Sequence, residues 1–294
     1  MKTPSDLALP PAHRVFREAV LLGGAGTAVL LQIAHPSVAQ GVADHSDFAH
    51  RPLDRLRGTL VFVYTQMFGT PEEADRVARI VRAVHKRVTG PGYDARDPDL
   101  QVWVAATLYH GNLRLYEMVF GPLPEADRDD VYRRSAVFAT SLGCPADRWP
   151  ATRADFDAYW AEAVARLAVS DAARATARTL FAPPNRALWP LTAAQRFLTA
   201  GLLPEDVRRQ YGLEWDAARQ RRFDRLVRLA RTWYPRLPQA VRTLPRDAYL
   251  WDMRRQGGWR RRPPRRAATG AAGALGAAAR RRRTAERQQQ ERAA

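Results

Sequence analysis

Apolar residues return in steps of three and four along most of the first 245 residues, and no run alternates apolar with polar residues long enough to read as a convincing strand. A chain patterned this way buries its apolar atoms on helix faces, so the sequence predicts an all-α fold. The period is clearest between Leu30 and Val88. Leu53, Leu56, Leu60, Val63 and Met67 mark a helix from Pro52 to Phe68, and Pro52 suits its first turn. Gly69-Thr70-Pro71-Glu72-Glu73 then supplies a turn, a capping hydroxyl, a proline at the first helical position and acids in the first turn of a second helix that runs to about Val88.

The same stretch holds four of the six histidines, His35, His45, His50 and His85. His85 shares a face with Val77, Val81, Val84 and Val88, so it points inward, where an imidazole needs partners for its ring nitrogens. Arg55 and Thr59 lie four residues apart on the preceding helix, on one face beside its apolar stripe. His35 and His45 are ten residues apart, which matches no short metal-ligand spacing. Pro36 ends the preceding helix at His35; a short helix follows to about Ala43, and Asp44-His45-Ser46-Asp47-Phe48 reads as a polar loop. For His45, bracing that loop and touching a ligand both remain open.

Upstream, a helix begun at His13–Leu22 is interrupted by Gly23 to Gly26, whose three glycines let a backbone or a planar ligand come close. A phosphate-cradling loop is excluded there by the lack of a preceding strand and of a GxGxxG or GK[ST] pattern. The apolar run Ala19 to Ala34 is short for a membrane span, is broken by glycines and carries Gln32, and no clean cleavage site follows it. No transmembrane segment is expected, and a cytoplasmic location is.

Downstream, Asp99 to Val119 forms a long helix with Trp103 and Thr107 inward, and His110 falls on a different turn as a packing or surface residue. Pro124 to Leu142 reads as one further helix. Helices follow from about Trp149, Thr192, Pro204 and Trp215. Cys144, the single cysteine, excludes an intrachain disulfide framework and fits a reducing compartment.

The chain has 294 residues, 46% hydrophobic, enough for one large core or two modest ones. Its net charge of +17 is mostly terminal: from Arg254 onward, 13 Arg stand against two Glu, net +11, leaving +6 for the rest. That Arg- and Ala-rich tail has too little apolar bulk to pack and is expected to be disordered; a basic arm for nucleic acid or anionic lipid is the alternative use.

An apolar helical interior, an inward histidine and an Arg/Thr pair are the parts a buried planar cofactor requires, although none is specific by spacing. The segments LLGGAGTAVLLQIAHPSVAQGVADHSDF, RPLDRLRGTLVFVYTQMFG, VRAVHKRVTG, DPDLQVWVAATL and RFLTAGLLPEDVRRQYGLEW resemble the family that unites MpaB-type oxygenases with the catalytic domain of the latex clearing protein, a rubber oxygenase. The combination of AHP, HSDF, RxxxT and VHxxVxG motifs carries the resemblance.

It implies a globin-like multi-helix bundle over residues 13–245, between a flexible leader (1–12) and the tail (246–294), enclosing a haem b pocket. His85, in VHxxVxG, would be the axial ligand of the haem iron. Arg55 and Thr59 would sit at the pocket, with His35, Phe48, Trp103 and Thr107 among the cofactor-binding residues. The implied chemistry is oxidative attack by dioxygen on an apolar small-molecule or polymer substrate, an alkene or isoprenoid for instance. Arg55 or His45 would donate a hydrogen bond to the oxygen, and Thr59 shares their catalytic site. Rubber-cleaving members carry a lysine just before the threonine; this chain has Gly58, which argues against rubber as the substrate. A haem-binding member without turnover, and a helical protein that binds nucleic acid or anionic membrane through its tail, are the alternatives.

Overall fold

A computed structural model describes residues 9–45, 52–182 and 185–255, with the backbone alone for 52–55. Helices α1 (Pro11–Phe16), α2 (Ala25–Ala34), α3 (Pro36–His45), α4 (Pro52–Phe68) and α5 (Pro71–His85) come first. After a small hairpin come α6 (Pro98–Phe120), α7 (Glu125–Ser135), α8 (Val137–Thr140), α9 (Arg153–Ala165) and α10 (Asp171–Phe181). The series closes with α11 (Trp189–Leu202), α12 (Glu205–Gln210), α13 (Ala217–Trp233) and α14 (Gln239–Arg255). The all-α expectation therefore holds for the described residues. The hairpin, β1 (Thr89–Gly90) and β2 (Tyr93–Asp94), pairs antiparallel with Thr89 opposite Asp94; strands of two residues leave no periodic signal in a sequence.

The long helix α6 is the axis of the fold. Asp97 caps it by accepting from the Asp99 amide at 2.8 Å, Pro98 occupies its first turn, and Gly121, at φ 85°, ends it. It buries Val102, Trp103, Ala105, Ala106, Thr107, Tyr109, Tyr116 and Val119, and α1, α2, α7, α8 and α13 pack around it. One apolar cluster joins α1, α4, α5 and α6 to Tyr132, Phe138, Trp149, Phe156, Leu250 and Met253; a second joins α2, Trp103, Leu167, Ala173, Leu203 and Val207. Trp160 packs against both.

Several expected boundaries move. The glycines at 23–26 do not interrupt a helix: the break falls at Arg17–Glu18, followed by a 3-10 turn (Ala19–Gly24) that runs straight into α2. What Gly26 permits is a helix crossing, since a Cβ there would lie 2.2 Å from Thr199 Oγ1 on α11. The span from Pro124 to Leu142 holds two helices, α7 and α8, with the regular helical hydrogen bonding interrupted at Ala136. α14 runs across residue 245, the expected end of the helical domain, and buries Leu250 and Met253 in the core. The tail beyond Arg255 lies outside the described residues.

Among the described residues no single helix is long and apolar enough to cross a membrane. One bent pair, Ala19–Ala34 with Pro36–His45, passes by length and composition but turns by 103° at its break.

Candidate cofactor site

The α4–α5 pair carries the first group of expected residues. Gly69 donates its amide to the Thr65 carbonyl at 2.9 Å and passes so close that a Cβ would meet that oxygen at 2.6 Å. Thr70 then starts α5 with a reciprocal capping box: its hydroxyl accepts from the Glu73 amide at 3.3 Å while its own amide donates to Glu73 Oε2 at 3.0 Å. This two-residue connection folds α5 back on α4, with which it packs. Val77 and Ala78 are buried, Val81 is half-buried against the same core, and His85, half-buried, is the last residue of the helix on that stripe. His85 thus ends the helix that packs on α4, the helix that carries Arg55 and Thr59. Gly58 is buried there and Thr59 is exposed, because the fully buried part of α4 begins at Val61. The Arg55 side chain lies outside the described atoms.

Trp103 and Thr107 belong to a second group, between α2, α6 and α9. Both are buried, and both turn their polar atoms to Gln32: Trp103 Nε1 donates to the Gln32 carbonyl at 3.4 Å, and Gln32 Nε2 donates to Thr107 Oγ1 at 2.9 Å. Thr107 passes its own proton to the Val104 carbonyl at 2.7 Å. Trp160 of α9 stacks on Trp103 at 5.5 Å and on His110 at 3.9 Å. His110 is thus on the Trp103/Thr107 side of α6, contrary to expectation. Residues 103, 107 and 110 are i, i+4 and i+7 and share one helical stripe. Burial, with the Arg114 charge in the same direction, pushes the His110 pKa down to about 4, so its ring is neutral.

His35 ends α2 with an extended ψ of 122°, as Pro36 requires. Its Nδ1 is buried without a hydrogen-bond partner among the described residues. Burial lowers its pKa, Asp97 opposes and Arg166 adds to the effect.

His45 is the last residue of α3 rather than a loop residue, because the helix continues through Asp44. Its Nε2 lies 2.9 Å from the Tyr93 hydroxyl and 3.2 Å from the Thr89 carbonyl. Tyr93 donates its only proton to Asp44 at 2.7 Å, and that bond holds the Asp44 carboxyl below its ordinary range. The hydroxyl can then only accept from His45, which assigns the imidazole proton to Nε2 and ties α3 to the β hairpin. Phe48 and His50 lie outside the described residues. Gln32 and Trp160, on which the second group is built, were missed as site residues; a lone amide in the apolar run LLQIA was the signal for the first.

Among the described residues no three of His, Cys, Asp and Glu come together as a set able to hold a metal ion. A haem asks for less, one imidazole on a rigid element beside apolar walls and groups for its carboxylates. Of those parts the described residues offer a half-buried imidazole, His85, on a capped helix, and an exposed hydroxyl, Thr59, on the helix packed against it.

The model of the family described as ER-bound oxygenase mpaB/B'/Rubber oxygenase, catalytic domain, matches residues 13–232. An uncharacterized protein of Mycobacterium bovis is 32% identical over 243 residues, which cover 77% of this chain and 93% of the relative. An uncharacterized protein of Mycobacterium tuberculosis shows the same identity over the same shares. No solved structure matches the chain.

Proposed function

The chain belongs to the family of MpaB and rubber oxygenase catalytic domains, and from that premise we propose that it is a haem b-dependent oxygenase that uses dioxygen on an apolar substrate of the alkene or isoprenoid class. One observation carries the proposal: the family match spans the packed α4–α5 pair, which carries Arg55 and Thr59 on one helix and the half-buried His85 on the other. The bundle around that pair would then follow a globin-like course.

In this proposal His85 offers a ring nitrogen to the iron, held in direction by the capped helix behind it. The Arg55 guanidinium and Thr59 hydroxyl would hold the haem propionate carboxylates or donate a hydrogen bond on the oxygen side. The haem, when bound, supplies the activation of dioxygen. His45 has committed its Nε2 proton to Tyr93 and the Thr89 carbonyl, which favours Arg55 over His45 as the donor on the oxygen side. The stacked Trp103, Trp160 and His110 and the buried Thr107 form a dry wall behind α2 whose polar atoms are already paired internally or neutral. Gly58 puts no amino group beside Thr59, so polyisoprene cleavage of the lysine-bearing type is not part of the proposal.

The test is the ultraviolet-visible spectrum of protein produced with ample haem, oxidised and reduced, beside His85→Ala. A Soret band in the wild type, lost in the variant while the far-ultraviolet circular dichroism is kept, is the expected result. A colourless wild type that takes up no added haem, or a variant with full haem occupancy, would overturn it.

A further inference from the structure

Helix α13 carries two apolar rows. Phe223, Val227 and Ala230 face the protein, whereas Leu226, Leu229 and Trp233, spaced by three and four, form a second row that faces out. Leu229 is 57% exposed and Trp233 64%. The chain continues through a 3-10 turn (Tyr234–Arg236) and exposed Leu237 into α14, where Val241, Leu244 at 62% and Trp251 at 58% again face solvent on the side away from Leu250 and Met253. Two successive helices that each leave a row of large apolar side chains in water mark a contact surface rather than scattered surface leucines.

The charge around the α13 row identifies what covers it, and on α14 the exposed Asp247 between Leu244 and Trp251 is paired with Arg246. α13 has six arginines against one acid, Asp224. Arg222 and Arg225 lie within a turn of Leu226 and Leu229 on the helix surface. At the ends of the rows the guanidinium of Arg236 lies 5.7 Å from the Trp233 ring and that of Arg255 lies 4.5 Å from Trp251. Leucine and tryptophan on one line with arginines beside it is the pattern of a helix lying in the headgroup region of an anionic bilayer. A second copy of this chain is a poor occupant, because it would set arginine against arginine across an apolar contact. Beside Leu226 the surface also opens into a cleft of about 160 Å³ lined by apolar side chains such as Leu115, Met118, Leu198 and Leu202, which extends the apolar surface inward toward α6.

We propose that the outward rows of α13 and α14 dock this protein in the interface of an anionic membrane, with Leu226, Leu229, Trp233, Val241, Leu244 and Trp251 immersed and the α13 arginines on the lipid phosphates and carboxylates. The docking is peripheral, consistent with the absence, among the described residues, of a single helix able to span a bilayer. It is independent of the haem.

The experiment is flotation of the full chain with vesicles of equimolar phosphatidylserine and phosphatidylcholine, and with phosphatidylcholine alone. The wild type is expected to float with the mixed vesicles, and salt to weaken that binding only in part, because screening removes the charge contribution and leaves the apolar one. Leu229→Glu/Trp233→Glu/Leu244→Glu should reduce the partition about tenfold or more. Should that variant lose its helical circular dichroism, Leu229→Ser/Trp233→Ser, which adds no charge, decides. A wild type that stays with the soluble fraction overturns the proposal. So does binding that the substitutions leave unchanged and salt abolishes, the signature of basic charge alone. A dimer in light scattering that the substitutions convert to monomer would assign the rows to a second copy and equally overturn it.

Discussion

At the scale of a single residue, His110 stacks on Trp160, and burial with Arg114 nearby takes its pKa from 6.5 to about 4. As pH falls below 6.5 the unfolded chain takes up this proton first, while the folded ring stays neutral until about 4. Its contribution to stability is therefore complete above 6.5 and is lost as pH falls from 6.5 to 4, by about 3 kcal/mol over the whole window. Urea unfolding at pH 7 and pH 5 should show about 2 kcal/mol of that loss, and His110→Phe should flatten it; an equal pH slope in the two proteins would remove the effect from His110. The amphipathic pattern of α6 already contained this placement, through the i, i+4, i+7 spacing of 103, 107 and 110. What no spacing could supply was the ring of Trp160, which arrives from fifty residues further along.

At the scale of elements, α14 is tied to the N-terminal segment through a buried charge cluster. Glu18, 1% exposed, accepts from Arg242 at 2.9 Å and from Arg17 at 3.4 Å. Burial nevertheless outweighs both guanidinium groups and pushes its carboxyl up. Such a cluster orients two elements more than it stabilises them. Arg242→Met should cost about 2–3 kcal/mol, because the carboxylate loses its closest partner while Arg17 remains. Adding Glu18→Gln should recover much of that loss, since the uncompensated charge is then gone. Denaturant midpoints of the wild type, the two single variants and the double variant measure this, and additive losses would contradict it. In the sequence Glu18 and Arg242 are merely two charged residues 224 apart, and the expected domain end at 245 cut through the helix that joins them. The capping box at Thr70 could be read from five residues because all its atoms come from adjacent positions.

At the scale of the whole molecule, haem uptake should appear as a stability change if the proposed pocket is part of the fold. A ligand held only by the folded state at about a hundredfold excess over its Kd adds about 3 kcal/mol. The wild type should melt several degrees higher with haem than without, and His85→Ala should not; equal shifts in both would point to haem held elsewhere.

The all-α class, the capped α4–α5 connection, the end of α2 at His35 and the family itself were determined by the sequence alone, because periodicity, capping and motif spacing are local and survive without knowledge of the packing. Tertiary structure alone decided that His45 and Tyr93 brace α3 against the hairpin, that Gly26 serves a crossing with α11, that Trp160 closes over His110, and that the rows on α13 and α14 face water. Each of these depends on which distant surface covers a given face, and a helical pattern specifies that a face exists without specifying what meets it.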